Sequence, residues 1–451
     1  MATPQIAPKL HPDLISRVDE ARGRTDVLFH LLPPNSFYER PVAERHRLIF
    51  YLGHLESFDW NLFARVLGIE SQEPAFDKLF AFGIDPVGGG LPTDTPGDWP
   101  AIARVEKYNR QVRERLTAAL RDPLMVVGSG DATLIDGTLL HVAIEHRLMH
   151  AETLSYLLHN LPLERKIPQP ATSCDPRPSP RQRQVTIPAG LTTLGQSSRP
   201  PHVFGWDNEF DTQQIEVPSF SVDVFPVTNG EYLKFIRAGG YENSSYWRLE
   251  DWDWKRQQRL EHPHFWLPRS SSHAADPDTQ WEYRAMFGTI PLPQSWPVFV
   301  SYAEASAFAR WVGKKLPTEA QWHRAAYGTP GGTEREYPWG DAAPDNTRGN
   351  FHFQRWDAAP VDVHPKGASA FGVHDLLGNG WEWTSTPFGP LPGFQPFPFY
   401  PGYSADFFDG KHFVMKGGSP QTDACMLRRS FRNWFQPHYP YVYATFRCAE
   451  D

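Results

Sequence analysis

The chain has 451 residues, with 44 Lys and Arg against 52 Asp and Glu, a formal net charge of −8. That length suggests two or three domains with real cores, and 40% hydrophobic with 21% charged residues excludes a disordered chain or a coiled coil. The acidic balance argues against a general nucleic-acid binder, and Cys174, Cys425 and Cys448 form neither a disulfide framework nor a zinc knuckle.

The opening residues MATPQIAPKLHPDL contain no apolar signal core, and no run of about 18 apolar residues occurs. The expectation is a soluble, cytoplasmic protein with no membrane partner. One feature is unusual: 16 Trp, 30 Phe, 16 Tyr, 44 Pro and 34 Gly. That is too much Pro and Gly for an all-helical chain and too much Trp for an ordinary surface.

Helical periodicity is concentrated in the first third. Helices are predicted over Asp13–Leu32, Val42–Leu67, Ile102–Leu120 and Asp136–Leu158. In the second, Leu48, Leu52, Leu55, Phe58 and Leu62 recur every three or four residues. Four such helices suggest an antiparallel bundle over residues 1–162. Residues 163–184, rich in Pro and Arg, read as an extended, solvated linker. From Val185 the segments are short and separated by Gly, Pro, Asn and Asp; only Ala303–Val312 and Thr318–Tyr327 look helical. Residues 185–451 are expected to form one large, loop-rich α+β domain.

The fourth helix carries His146 and His150. Positions i and i+4 share one helix face, so both imidazoles can reach one cation. Solvated or hydrogen-bonded helix histidines are the plainer reading of such a pair. A zinc-protease reading needs Glu directly after the first His; Arg147 stands there and excludes it. Glu152 lies roughly 200° round the helix from His150, which suits a supporting role better than ligation. The best third ligand is His54, flanked by Leu52, Leu55 and Phe58, where an unpaired imidazole is costly; a satisfied core histidine is its alternative. Three neutral imidazoles with open positions suit Fe(II), Zn(II) or Cu(II).

Several strings in the second half are distinctive: Phe225–Tyr232 (FPVTNGEY), Leu316–Tyr327 (LPTEAQWHRAAY), Tyr337–Asp341 (YPWGD), Asp375–Trp383 (DLLGNGWEW), Lys416–Ser419 (KGGS) and Arg429–Trp434 (RSFRNW). They resemble the C-type-lectin-like fold of the formylglycine-generating-enzyme superfamily, while the first half, with His54 and His146-x3-His150, resembles a DinB-type bundle. The pairing resembles the ergothioneine sulfoxide synthases and selenoneine synthase over nearly the whole chain. Formylglycine-type catalysis uses a close pair of cysteines, which Cys425 and Cys448 do not match. Trp339, Trp381 and Trp383 read as core.

The resemblance implies an Fe(II) enzyme that uses O2 and joins sulfur or selenium to the imidazole of hercynine. His54, His146 and His150 match the family's iron ligands. Asn433 and Trp434 match the pair that receives the trimethylammonium group, a cation well held by an aromatic face. Departures concern the donor. Met149 stands where several members carry Gln; Phe435 and Tyr439 stand where many carry Asp and Arg. Leu79–Gly90 replaces an Asn-Ser-Tyr-Tyr string. With fewer charges for an amino-acid thiol, a neutral selenosugar donor is favoured over cysteine or γ-glutamylcysteine, although Arg428, Arg429 and Arg432 remain for an anionic one. A tyrosine acting on bound oxygen is expected among Tyr400, Tyr403, Tyr439 and Tyr441. A monomer or weak homo-oligomer is expected. A zinc-dependent transferase and a non-catalytic ligand-binding protein are the other functional classes that fit.

Overall fold

Helical periodicity ends near residue 160, and the computed structural model divides close by, into units Met1–Gln169 and Pro170–Asp451. It describes residues 11–81, 91–174, 176–197, 203–269 and 280–451. Residues 82–90 of the Leu79–Gly90 string lie outside the described residues.

The first unit contains α1 (Pro12–Phe29), α2 (Leu48–Leu67), α3 (Pro74–Leu79), α4 (Ile102–Leu120), α5 (Pro123–Gly128), α6 (Ala132–Ile135) and α7 (Thr138–Asn160). The four long helices are those expected, and α2 packs on both α4 and α7 while α1 packs on α7. Helix α4 buries one stripe, Val105, Tyr108, Val112 and Leu116, at amphipathic spacing. Helices α2 and α7 are buried on nearly all sides. No helix among the described residues is long and apolar enough to cross a membrane.

The start of α2 differs from expectation: residues 42–47 form turns instead of helix. Leu48 N–H donates back to the Glu39 carbonyl, and Arg47 donates to the Tyr38 carbonyl at 2.6 Å and to Asp94 at 3.0 Å. These bonds fold the segment back before the helix begins. At the other end, Gly68 at φ +64 stops α2, a left-handed cap that glycine adopts without steric cost.

Charge is buried between these helices. Arg147 on α7, 1% exposed, pairs with Glu56 at 2.9 Å and Asp59 at 2.8 Å on α2. Arg113 on α4 joins Glu56 at 2.7 Å and Asp26 on α1 at 2.7 Å. Burial alone would raise the Glu56 carboxyl, but Arg147, Arg113 and Arg22 outweigh it and hold it at about 2.

The second unit is the loop-rich α+β domain. Its strands are β1 (Gln184–Ile187), β2 (Gly190–Leu194), β3 (Gln213–Val217), β4 (Phe220–Asp223), β5 (Trp266–Pro268), β6 (Trp281–Ala285), β7 (Gly288–Pro291), β8 (Gly380–Pro387), β9 (Phe413–Gly418), β10 (Asn433–Phe435), β11 (Ala444–Thr445) and β12 (Ala449–Glu450). They form sheets in the orders β10-β9-β8-β11, β1-β4-β12 and β5-β6-β7, and a β2-β3 ribbon. Pairing is antiparallel except between β11 and β8.

Among the described residues four helices of eight or more residues occur here, not two: α8 (Asn229–Arg237), α9 (Leu249–Gln258), α10 (Tyr302–Trp311) and α11 (Glu319–Tyr327). Helix α8 escapes the apolar pattern because it opens Asn-Gly, yet Thr228 and Glu231 cap it reciprocally. Helix α9 buries only Asp251 and has no apolar face to read. The stretch expected as a solvated linker is also partly anchored here. Ser179 donates to the Gln294 carbonyl at 2.7 Å, and Gln182 donates to the Phe225 carbonyl at 3.0 Å; its polar side chains find backbone acceptors although its prolines preclude a helix.

The core gathers Ile187, Phe220, Trp322, Tyr327, Phe351, Val373, Leu376 and Leu427. Trp381 and Trp383 are buried as expected. Trp339 is only half-buried; it stacks on Tyr337 and donates to the Ala342 carbonyl at 2.8 Å. With so few long elements, buried polar groups bind loops to sheets. Arg447 donates to Glu382, to the carbonyls of Asp223 and Val224, and to that of His374. Asn379 donates to Asp375 at 2.7 Å.

Burial pushes the Asp375 carboxyl up to about 8, from 3.8 when free. A carboxyl raised by folding lends stability that is whole below the unfolded value and drains as pH rises through the folded one. The urea midpoint of the wild type should therefore fall between pH 4 and 8 relative to Asp375→Asn; parallel profiles for the two proteins would contradict this.

Candidate metal centre and substrate residues

The first unit brings His54, His146 and His150 together. All three are buried, and a ligating nitrogen from each lies within 4.8 Å of the others. Helix α7 aligns His146 and His150 through their i, i+4 spacing, with ring centroids 4.5 Å apart. The His54 ring from α2 lies 5.3 Å from that of His146 and 4.9 Å from that of His150.

Residues that spacing does not reveal hold these rings in place. Phe50 stacks on His54 at 4.8 Å and Phe58 on His146 at 3.4 Å. His54 Nδ1 lies 2.7 Å from the Phe80 carbonyl. A carbonyl only accepts, so Nδ1 carries the proton and Nε2 keeps its lone pair, the tautomer a metal ligand needs. Gly53 makes this approach possible: a Cβ there would meet the Phe80 ring at 2.6 Å. The one sequence signal for this arrangement was a glycine, a weak helix former, inside an otherwise strong helix.

The donor set suits a divalent transition metal. Burial drives His54 down to about 4 and holds His146 and His150 well below the usual histidine range, with Arg147 and neighbouring imidazoles adding to the effect. The rings are therefore neutral at physiological pH, as ligation requires. The buried Nδ1 of His150 has no hydrogen-bond partner among the described residues. Among those residues this is the cluster of three or more His, Cys, Asp or Glu side chains able to hold a metal ion. Glu152 is half-buried and outside it. Met149, beside His150 on α7, is half-buried.

The other candidates lie in the second unit on two faces of β10. Successive strand residues point to opposite sides. On one side Trp434 stacks on Phe388 at 4.1 Å and meets Tyr403 edge-on at 5.5 Å. Tyr403 in turn stacks on Trp206 at 4.0 Å and packs near Tyr400 at 5.5 Å. On the other side Phe435 stacks on Tyr439 at 5.1 Å, which meets Tyr441 at 5.1 Å. The four tyrosines thus fall into two pairs. Asn433 is half-buried, and its Oδ1 accepts from the Trp434 N–H at 2.9 Å.

The arginines all meet acids. Arg432 forks onto Glu319 at 2.9 and 3.0 Å and donates to the Gly389 carbonyl. Arg428 pairs with Glu209, its Nε 2.8 Å from Oε2. Arg429 lies 3.4 Å from Glu334. Cys174, Cys425 and Cys448 form no disulfide with one another, and Cys448 is buried.

Known proteins match both units. The sulfatase-modifying factor enzyme 1-like domain matches residues 170–451, and the DinB superfamily matches residues 17–154. "Hercynine oxygenase" of Mycolicibacterium smegmatis is 36% identical over 322 residues, which cover 69% of this chain and 71% of that protein. This chain belongs to the ergothioneine sulfoxide synthase-like family. Two further members of the comparison agree. "Hercynine oxygenase" of Mycobacterium tuberculosis is 41% identical over 54% of this chain and 56% of its own length. "Ergothioneine biosynthesis protein 1" of Neurospora crassa is 29% identical over 94% of this chain and 56% of its own length. The chain thus spans little more than half the length of most of these relatives.

Replacing Gly53 with Ala should force Phe80 away and release the His54 tautomer. Binding of Fe(II) or Co(II), measured by anaerobic titration, should weaken by about 10- to 100-fold, the usual cost of losing a partner that orients a metal ligand. His146→Ala should abolish tight binding; unchanged titrations in both variants would rule out this metal centre.

Proposed function

We propose that the protein is a non-heme Fe(II)- and O2-dependent enzyme that forms a carbon–selenium or carbon–sulfur bond at the imidazole of hercynine. The observation that carries this reading is the cluster of three buried, neutral histidines on the DinB-type unit, in a chain whose relatives include proteins named for hercynine oxygenation. His54, His146 and His150 would hold the iron. The oxidative chemistry, with O2 as electron acceptor, would come from Fe(II) held there.

The chain's own residues bind and orient. Trp434 offers an indole face, and Asn433 an amide, to the trimethylammonium of hercynine, a pairing suited to a desolvated cation. The Arg432–Glu319 fork anchors the strand on which both stand, so Arg432 acts by holding Asn433 and Trp434. Met149 and Phe435 are apolar contacts for the substrates. A phenol held protonated can give a proton or hydrogen atom. Burial pushes Tyr400 up to about 12, which keeps it protonated at neutral pH. Tyr403, in contact with Trp434, is the first of the four tyrosines to test.

The pairing of Arg428, Arg429 and Arg432 with Glu209, Glu334 and Glu319 supports a donor of low negative charge. The preferred donor is therefore a selenosugar; cysteine or γ-glutamylcysteine, as in ergothioneine sulfoxide synthesis, is the alternative. The reading treats the enzyme as a monomer or weak homo-oligomer.

Purified protein supplied with Fe(II), O2 and hercynine should give, with a selenosugar, a product whose mass carries selenium. Turnover with a thiol amino acid alone would reverse the donor assignment. His146→Ala should lower turnover by at least about 1,000-fold, a loss of ~4 kcal/mol of transition-state stabilisation. Retained hercynine-dependent turnover in that variant would remove the metal from the reaction.

A further inference from the structure

Arg147 follows His146 directly, and it is the residue that excludes a zinc-protease reading. Its guanidinium turns to α2. Nη2 donates to the Leu55 carbonyl at 2.9 Å and to Asp59 Oδ2 at 2.8 Å, while Nη1 donates to Glu56 Oε1 at 2.9 Å. Leu55 follows His54. The residue after one candidate ligand therefore grips the backbone of the residue after another.

The grip carries geometric information that apolar packing lacks. Helices advance 1.5 Å and turn 100° per residue, and contacts between Leu, Ile and Ala are non-directional. A planar guanidinium with fixed donors is directional. Leu55, Glu56 and Asp59 lie at i, i+1 and i+4, spread over about 100° of arc and about 6 Å of a rigid helix, so one fork determines both the height and the rotation of α2. His54 moves with that helix, and His146 and His150 move with Arg147. The acids are braced from other helices as well: Arg113 donates to Glu56 at 2.8 Å, and Arg22 lies 3.7 Å from Asp59.

We propose that Arg147 is a positioning residue for the metal centre: its fork onto Leu55, Glu56 and Asp59 sets the α2–α7 register at which His54, His146 and His150 converge, before any metal binds. The proposal rests on reading the three histidines as ligands, and the experiment separates the two.

The probe is Co(II) alone, titrated anaerobically into the full chain, with its visible d–d spectrum reporting coordination geometry and urea unfolding reporting stability. His146→Ala tests the ligands themselves: if it leaves the Co(II) spectrum unchanged, the metal reading fails and this proposal with it. Asp59→Asn and Glu56→Gln keep size and hydrogen-bonding atoms but weaken the fork. They should reduce Co(II) affinity by about 10- to 100-fold and alter the d–d bands. The triple variant Arg147→Met, Glu56→Leu, Asp59→Leu replaces this buried trio by apolar groups, an exchange that is often neutral for stability, while Arg113 keeps Asp26 and Arg22 keeps Asp19 and Thr117. It should unfold near the wild-type urea concentration yet keep the altered spectrum. Wild-type affinity and bands in the triple variant, or in both single variants, would overturn the proposal and leave the charges a purely structural role.

Discussion

Between α2 and α7 a buried guanidinium meets two buried carboxylates, and the rest of the first unit is arranged round that meeting. Removing charges from water costs several kcal/mol per ion, so the charges persist only because they meet opposite charges, even though Glu56 Oε2 and Asp59 Oδ1 have no hydrogen-bond partner among the described residues. Arg147 serves Glu56 and Asp59 and also meets Thr25 and the Leu55 carbonyl, Arg113 serves Glu56 and Asp26, and Arg22 lies by Asp59 and donates to Thr117. Every long helix of the bundle contributes to this network. The histidine cluster occupies the same two helices, so a layer rich in polar groups replaces part of the apolar core.

The second unit faces a different constraint. Its strands are short and its helices few, so little backbone hydrogen bonding is available to unite distant segments. Buried side chains take over that task. Arg447 joins β4 and β8 to the turn at His374, and Lys416 donates to the Arg429 carbonyl beneath the strand carrying Asn433 and Trp434. The excess of Trp, Phe and Tyr supplies apolar area that long helices would otherwise provide. Trp206, Trp266, Trp296, Trp322 and Trp383 are all fully buried.

Much of this was legible. The long helices carry their own periodicity, and i, i+4 spacing suffices to place His146 beside His150. His54 was legible from the cost of an imidazole in an apolar helix. Contacts that join sequence-distant groups left no such trace. Nothing periodic relates Phe80 to His54, Glu319 to Arg432 or Arg147 to Leu55. Charged residues inside otherwise apolar helices, Glu56 and Asp59 on α2 and Arg147 on α7, were a usable hint, because opposite charges buried on neighbouring helices are stable only if they meet. Helix α8 was missed behind its Asn-Gly opening, and α9 where polar residues dominate.

Gly53 has a consequence that reaches beyond its own turn of helix. A Cβ at position 53 would meet the Phe80 ring at 2.6 Å, so no side chain fits beside the His54 imidazole unless that ring moves. The dipeptide Gly53-His54 is thus a single structural unit, one half making room and the other using it. In redesign it marks a position where diversity in the helix is closed, whatever the chosen metal or substrate.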